Sequence, residues 1–143
     1  MSERSYADIA RDLVKLHEGK ILKVYTDTLG NLTIGYGRAL DRKGISADEA
    51  EMLLERDLRD ADAAARVFAG EAWDSLADQR KAVLVDMAHN LGGPGLMRFV
   101  KLRAALRAGD YAGASTQMLD SKWASQVGAR ATRLAKMMRT GLA

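Results

Sequence analysis

Cysteine is absent from these 143 residues, and proline occurs once. The first absence excludes a disulfide framework and a thiolate zinc site, and it leaves the redox compartment undetermined. Long apolar runs are missing too: no segment approaches the roughly 20 residues of a membrane span. The start of the chain, "MSERSYADIARDL", has charges where a secretory leader needs an apolar stretch. These features predict a protein made in a cytoplasm, with no signal peptide and no transmembrane segment. After Asp120 there are no acids at all, whereas Lys122, Arg130, Arg133, Lys136 and Arg139 remain. That imbalance, in a chain of net charge +3, suits an anionic partner as well as it suits a solvated helix face.

Apolar residues make up 48% and charged residues 29%, which fits one well-ordered globular domain over residues 1–143. Ile9, Leu13 and Leu16 have helical spacing, with Gly19 as a stop. "SADE" at 46–49 is a capping box that opens a long helix over about 47–69, with Leu54, Leu58, Ala61, Ala65 and Phe68 on one stripe. Ser75 with Asp78 starts another helix, broken by "GGPG" at 92–95 with Pro94 in the first turn of the next. "LMRFVKLRAALRAGD" reads as one helix ended by Gly109; Asp110 caps a further one, and a last runs from about Gly128 to Arg139.

"HEGKILKVYTDTLGNLTIGYGRAL" interrupts this helical text at 17–40. "LKVYT" and "NLTIGY" alternate like strands and are joined across "DTLGN", where Gly30 supplies a positive φ. A third short strand is expected near Arg38 to Leu40. The fold class predicted is α+β and mostly helical. A β-lobe takes up about 18–46, residues 47–69 form the connecting helix, and 1–17 with 70–143 form a helical body, leaving a cleft between lobe and body.

Glu18 ends the first helix, Asp27 stands at the hairpin turn and Thr33 on the second strand. If Leu32 and Ile34 face a small core in the lobe, alternation turns Thr33 toward the cleft. Two carboxylates and a hydroxyl across a groove form a set suited to glycoside hydrolysis. One acid protonates the leaving oxygen, and the other, ionised, supports the transition state or activates water. Partial burial helps the first to keep its proton. The spacing alone also fits a helix-end Glu and a turn Asp with no chemistry.

The surrounding letters narrow that choice. Glu18-Gly19, Tyr25-x-Asp27 and Gly30-x-x-Thr33-Ile34-Gly35-x-Gly37 resemble, in register, the signature of the phage-type lysozyme (endolysin, muramidase) family. "WDSLADQRKAVLVDMAHNLGGPGLMRF" and "SKWASQVGARATRLAKMMRTG" resemble its central helix pair and closing segment. The resemblance implies a lysozyme-like fold and an N-acetylmuramidase that cuts the β-1,4 bond between N-acetylmuramic acid and N-acetylglucosamine in peptidoglycan. Glu18 is then the general acid, Asp27 the second carboxylate and Thr33 the residue that places water, with inversion at the anomeric carbon. Arg130 is implied to pair with Glu18 and Gln126 to sit nearby, while His89 and Gln117 fall at sugar-contacting positions. Arg38 stands where the family commonly has histidine, and the connection from Leu40 to Ser46 is short beside the T-even phage member.

The resemblance implies no cofactor and no metal, and two distant histidines make no metal site. It also implies a monomer acting on bacterial peptidoglycan, with no nucleic-acid partner. Such an enzyme waits in the host cytoplasm until a separate holin-type pore former opens the membrane. Trp73 and Trp123 read as core residues. Two alternatives stay open: a lytic transglycosylase on the same bond, and a non-enzymatic basic helical protein that binds membrane or nucleic acid.

Overall fold

A computed structural model describes residues 3–143, whose contacts divide into two units, Met1–Glu51 and Met52–Ala143. In the first unit α1 (Tyr6–Glu18) starts at Ser5, whose hydroxyl accepts the Asp8 amide at 3.2 Å while the Asp8 carboxylate accepts the Ser5 amide at 3.3 Å. That reciprocal cap satisfies two donors the helix leaves open. Gly19, at φ 71°, ends the helix as expected, so Glu18 is its last residue.

Three antiparallel strands follow in the order β1 (Ile21–Thr26), β2 (Leu32–Gly35), β3 (Arg38–Ala39). Tyr25 pairs with Thr33 and Thr33 with Ala39, so Thr33 lies in the middle of the sheet. The register shifts between Ile21 and Tyr25, a bulge that bends β1. The hairpin turn has Gly30 at φ 84°, the conformation anticipated there. A single turn of helix, α2 (Leu40–Lys43), packs on β2 and β3, tied by the Leu32 amide donating to the Asp41 carboxylate at 3.2 Å.

Alternation along β2 is present, but its sense differs from expectation. Thr33 is 3% exposed and Leu32 is 48% exposed. Among the described residues Thr33 is the only buried one of this unit, so the lobe has no apolar core of its own to claim Leu32.

Helix α3 (Ala47–Ala69) begins at the foreseen capping box: the Ser46 amide donates to Glu49 Oε1 at 2.9 Å, and the Glu49 amide to the Ser46 hydroxyl at 3.1 Å. In the second unit its stripe is buried from Ala61 onward, through Ala65, Phe68 and Ala69. A 3-10 turn over Gly70–Ser75 follows, and it takes up Ser75, which therefore does not cap the next helix. Helix α4 (Asp78–Met97) breaks at Gly92 (φ 75°, ψ 162°) and resumes through Pro94, whose missing N–H is harmless in a first turn. The stretch read as one helix from Leu96 divides at Arg98–Phe99, leaving α5 (Val100–Arg107). Next come α6 (Tyr111–Leu119), capped by Asp110 as expected, an unforeseen α7 (Lys122–Val127), and α8 (Ala129–Thr140).

Helix α8 packs on α4, α6 and α7 around a core that includes Phe68, Leu84, Met87, Leu102, Met118 and Met138. Both tryptophans are buried core residues; Trp123 donates to Asn90 Oδ1 at 2.8 Å and meets Phe99 edge to face. Arg80 secures the end of α8 by donating to the Met138 and Arg139 carbonyls at 2.7 and 3.1 Å, with its guanidinium over the Tyr111 ring. Among the described residues no helix is long and apolar enough to cross a membrane.

Candidate active site

Glu18, Asp27 and Thr33 all belong to the first unit, each fixed by a different local device. The last turn of α1 meets the β2–β3 turn, where the Lys15 ammonium lies 5.4 Å from the Tyr36 ring centroid. Glu18 lies against the same turn: a β-carbon on Gly37 would come within 2.7 Å of its carboxyl carbon and Oε2. Gly37 is required twice over, by that approach and by its φ of 79°. Glu18 is nevertheless exposed.

The turn "DTLGN" folds around Asp27. Its Oδ1 accepts the Asn31 amide at 2.8 Å and the Leu29 amide at 2.9 Å, while Oδ2 accepts the Asn31 side-chain amide at 3.3 Å. The Asn31 amide first, then Leu29, the Asn31 side chain and the Arg42 charge, hold this carboxyl below its ordinary 3.8 against desolvation, an opposing effect second only to the Asn31 amide. Asp27 is therefore a persistent anion. An Asp accepting from the amide two residues on is a recognisable turn pattern, so this cradle could have been read from the letters.

Thr33 donates its hydroxyl to the Asn31 carbonyl at 3.0 Å, which leaves its oxygen free to act as an acceptor. The turn that holds Asp27 precedes β2, and the turn against Glu18 follows it. Three rises of about 3.3 Å span roughly 10 Å between those two ends, with Thr33 along the way.

Arg38 makes a two-pronged contact with Glu49, Nη1 to Oε1 at 3.0 Å and Nη2 to Oε2 at 2.9 Å, and also donates to the Gly44 carbonyl at 3.1 Å. Glu49 thus serves the capping box and clamps β3 to the start of α3. The Ser46 amide first, then Arg38, pull its carboxyl below its ordinary 4.5.

The other anticipated residues are in the second unit. Gln117 and Gln126 line one cavity of about 510 Å³ with Trp123, Phe99, Arg98 and Lys122. His89 is exposed and lines a separate cavity of about 330 Å³ beside Asp57 and Asp60. Arg130 lines neither; its guanidinium is held by Asp86 at 2.6–2.8 Å, a partner the sequence reading did not name. Among the described residues no cluster of His, Cys, Asp and Glu could hold a metal ion.

Residues 15–139 match the family model described as phage lysozyme. The chain is 29% identical over 157 aligned residues to the pre-baseplate central spike protein Gp5 of Enterobacteria phage T4, covering 91% of this chain but only 27% of that protein. Two proteins of Dictyostelium discoideum described as probable T4-type lysozymes 2 and 1 are each 24% identical, over 92% of this chain and 94% of theirs.

Proposed function

Because this chain belongs to the phage lysozyme family, we propose that it is a peptidoglycan hydrolase of the N-acetylmuramidase type, with Glu18, Asp27 and Thr33 as its reacting groups. The observation that carries this reading is that all three letters of the chemistry fall on one unit, at the two ends and the middle of β2. On this reading Glu18 gives its proton to the glycosidic oxygen as the bond from the anomeric carbon breaks. A water attacks that carbon from the opposite face, and its proton passes to Asp27.

Inversion at the anomeric carbon is part of this reading. A water must fit between carboxylate and sugar, which calls for carboxyls about 6.5–9.5 Å apart rather than the about 5 Å of a retaining pair. Asp27, kept anionic by its turn, suits the base. Thr33 can accept a hydrogen bond from that water, because its own proton is directed at Asn31. Gln117 and Gln126 are proposed to contact the glycan.

Digestion of purified peptidoglycan by the full chain tests the proposal. Fragments with reducing N-acetylmuramic ends are expected, together with a loss of about 100-fold or more in Glu18→Gln, on the scale of general acid catalysis. Anhydro-muramic ends would assign the chain to transglycosylation instead, and an undigested wall would reject both. The reading extends to delivery by a separate pore former and to action as a monomer. Lysis of cells expressing the chain with and without such a pore, and sedimentation of the purified chain, test those two parts.

A further inference from the structure

A cavity of about 450 Å³ in the first unit is unused by the chemistry above. It is lined by Tyr36, Gly37, Arg38, Ala39, Arg42 and Lys43, so three cations and no acid face it. Arg38 is committed to Glu49, whereas among the described residues Arg42 and Lys43 form no ion pair. Of the nearby acids, Asp41 accepts from the Leu32 amide and Asp27 is bound by its own turn, whereas Glu18 lies against Gly37. Its Gly37 wall, the surface on which the Glu18 carboxyl lies, places the cavity beside the reaction, and the Arg42 charge adds the smallest of the effects that lower the Asp27 carboxyl.

We propose that Arg42 and Lys43 form a subsite for a carboxylate of the substrate, next to the scissile bond. The proposal rests on the muramidase reading. In a peptidoglycan strand the muramyl side chain is the source of such a group. It offers the peptide's own carboxylates where a stem is attached and the lactyl carboxylate where it is not. A guanidinium and an ammonium side by side suit that ligand, the first by its planar fork and the second as a mobile point charge. The rest of the glycan is neutral, so this subsite would tell muramyl strands from chitin-like ones.

The test compares kcat/KM on intact wall with kcat/KM on wall whose carboxyls have been converted to neutral amides. Wild type is expected to lose about fivefold on the neutral wall beyond what Arg42→Gln/Lys43→Gln loses, the upper range for an exposed ion pair. Arg42→Lys/Lys43→Arg should keep most of that difference, and a control with two α8 charges removed, Arg133→Gln/Lys136→Gln, should lose less of it than Arg42→Gln/Lys43→Gln, since only long-range attraction is weakened. Any change in Asp27 caused by losing Arg42 affects both walls alike and cancels in the ratio. An equal loss in wild type and the Arg42/Lys43 double variant, or a difference reduced in the α8 control as far as in that double variant, overturns the subsite while leaving the muramidase reading intact. A wild type that cleaves neither wall overturns both. Strands stripped of peptide by an amidase separate the sources. A difference that survives there assigns the lactyl group, and one that vanishes assigns the stem; either result supports the subsite.

Discussion

A β-carbon on Gly37 would stand within 2.7 Å of the Glu18 carboxyl, on a backbone at φ 79° that L-residues avoid. Gly37→Ala therefore has two effects at once. The left-handed backbone costs about 1–2 kcal/mol in stability, and the Glu18 carboxyl is displaced from the turn. The expected result is a modest fall in melting temperature with a much larger fall in kcat, read by a thermal melt and a wall-digestion assay on the same sample. Gly30→Ala tests the first effect alone, since its φ is 84° but nothing lies within 4 Å of the new carbon. Asp27 governs the acid side of the pH profile. Its folded-state pKa is lowered, so the stability it contributes is complete above its ordinary 3.8 and is lost as pH falls through the depressed folded value. Glu49 behaves the same way beneath its ordinary 4.5. The base form of Asp27 should accordingly persist to below pH 3.8, and the acid limb of kcat/KM assigned to it should lie there.

At the scale of elements, what was legible in the letters is what local chemistry decides. The Ser46–Glu49 box, the stops at Gly19 and Gly92 and the Asp110 cap are each fixed by a few neighbouring residues, and each appears where the spacing puts it. Among the features not legible were the 3-10 turn at Gly70–Ser75, the division at Arg98–Phe99 and the short α7. These depend on where the chain must turn to close a core, and periodicity does not record that. The facing of β2 failed for a related reason. Alternation distinguishes two faces of a strand but not which one is covered, and the covered face of β2 carries Thr33. For the candidate site, the family letters located Glu18 and Asp27, whereas Arg42 and the Arg130–Asp86 pair needed coordinates. The Arg38–Glu49 clamp yields an element-scale prediction. Arg38→Ala should lower the melting temperature of the first unit, Arg38→Lys should recover part of it because the fork is lost, and amide exchange in β3 should accelerate in both.

Across the whole molecule, apolar burial is concentrated in the second unit: every buried apolar residue described lies from Ala61 onward. Leu84→Ala, within that core, should cost about 2–5 kcal/mol and lower the cooperative melt of that unit. Amide exchange in the sheet measures whether the first unit responds. The family assignment covers nearly the full chain, while the spike protein it resembles is far longer. Charge adds a separate behaviour. With a net +3 and a C-terminal stretch free of acids, digestion of an anionic wall should slow as salt rises, through weaker association rather than slower chemistry.

The double duty of Glu49 has a consequence for how this sequence can drift. A lineage that replaces Arg38 by a neutral residue strands a carboxylate already recruited to begin a helix. One that replaces Glu49 first uncaps that helix and releases a guanidinium beside the proposed subsite. Neither single step is neutral, so positions 38 and 49 should change together or not at all.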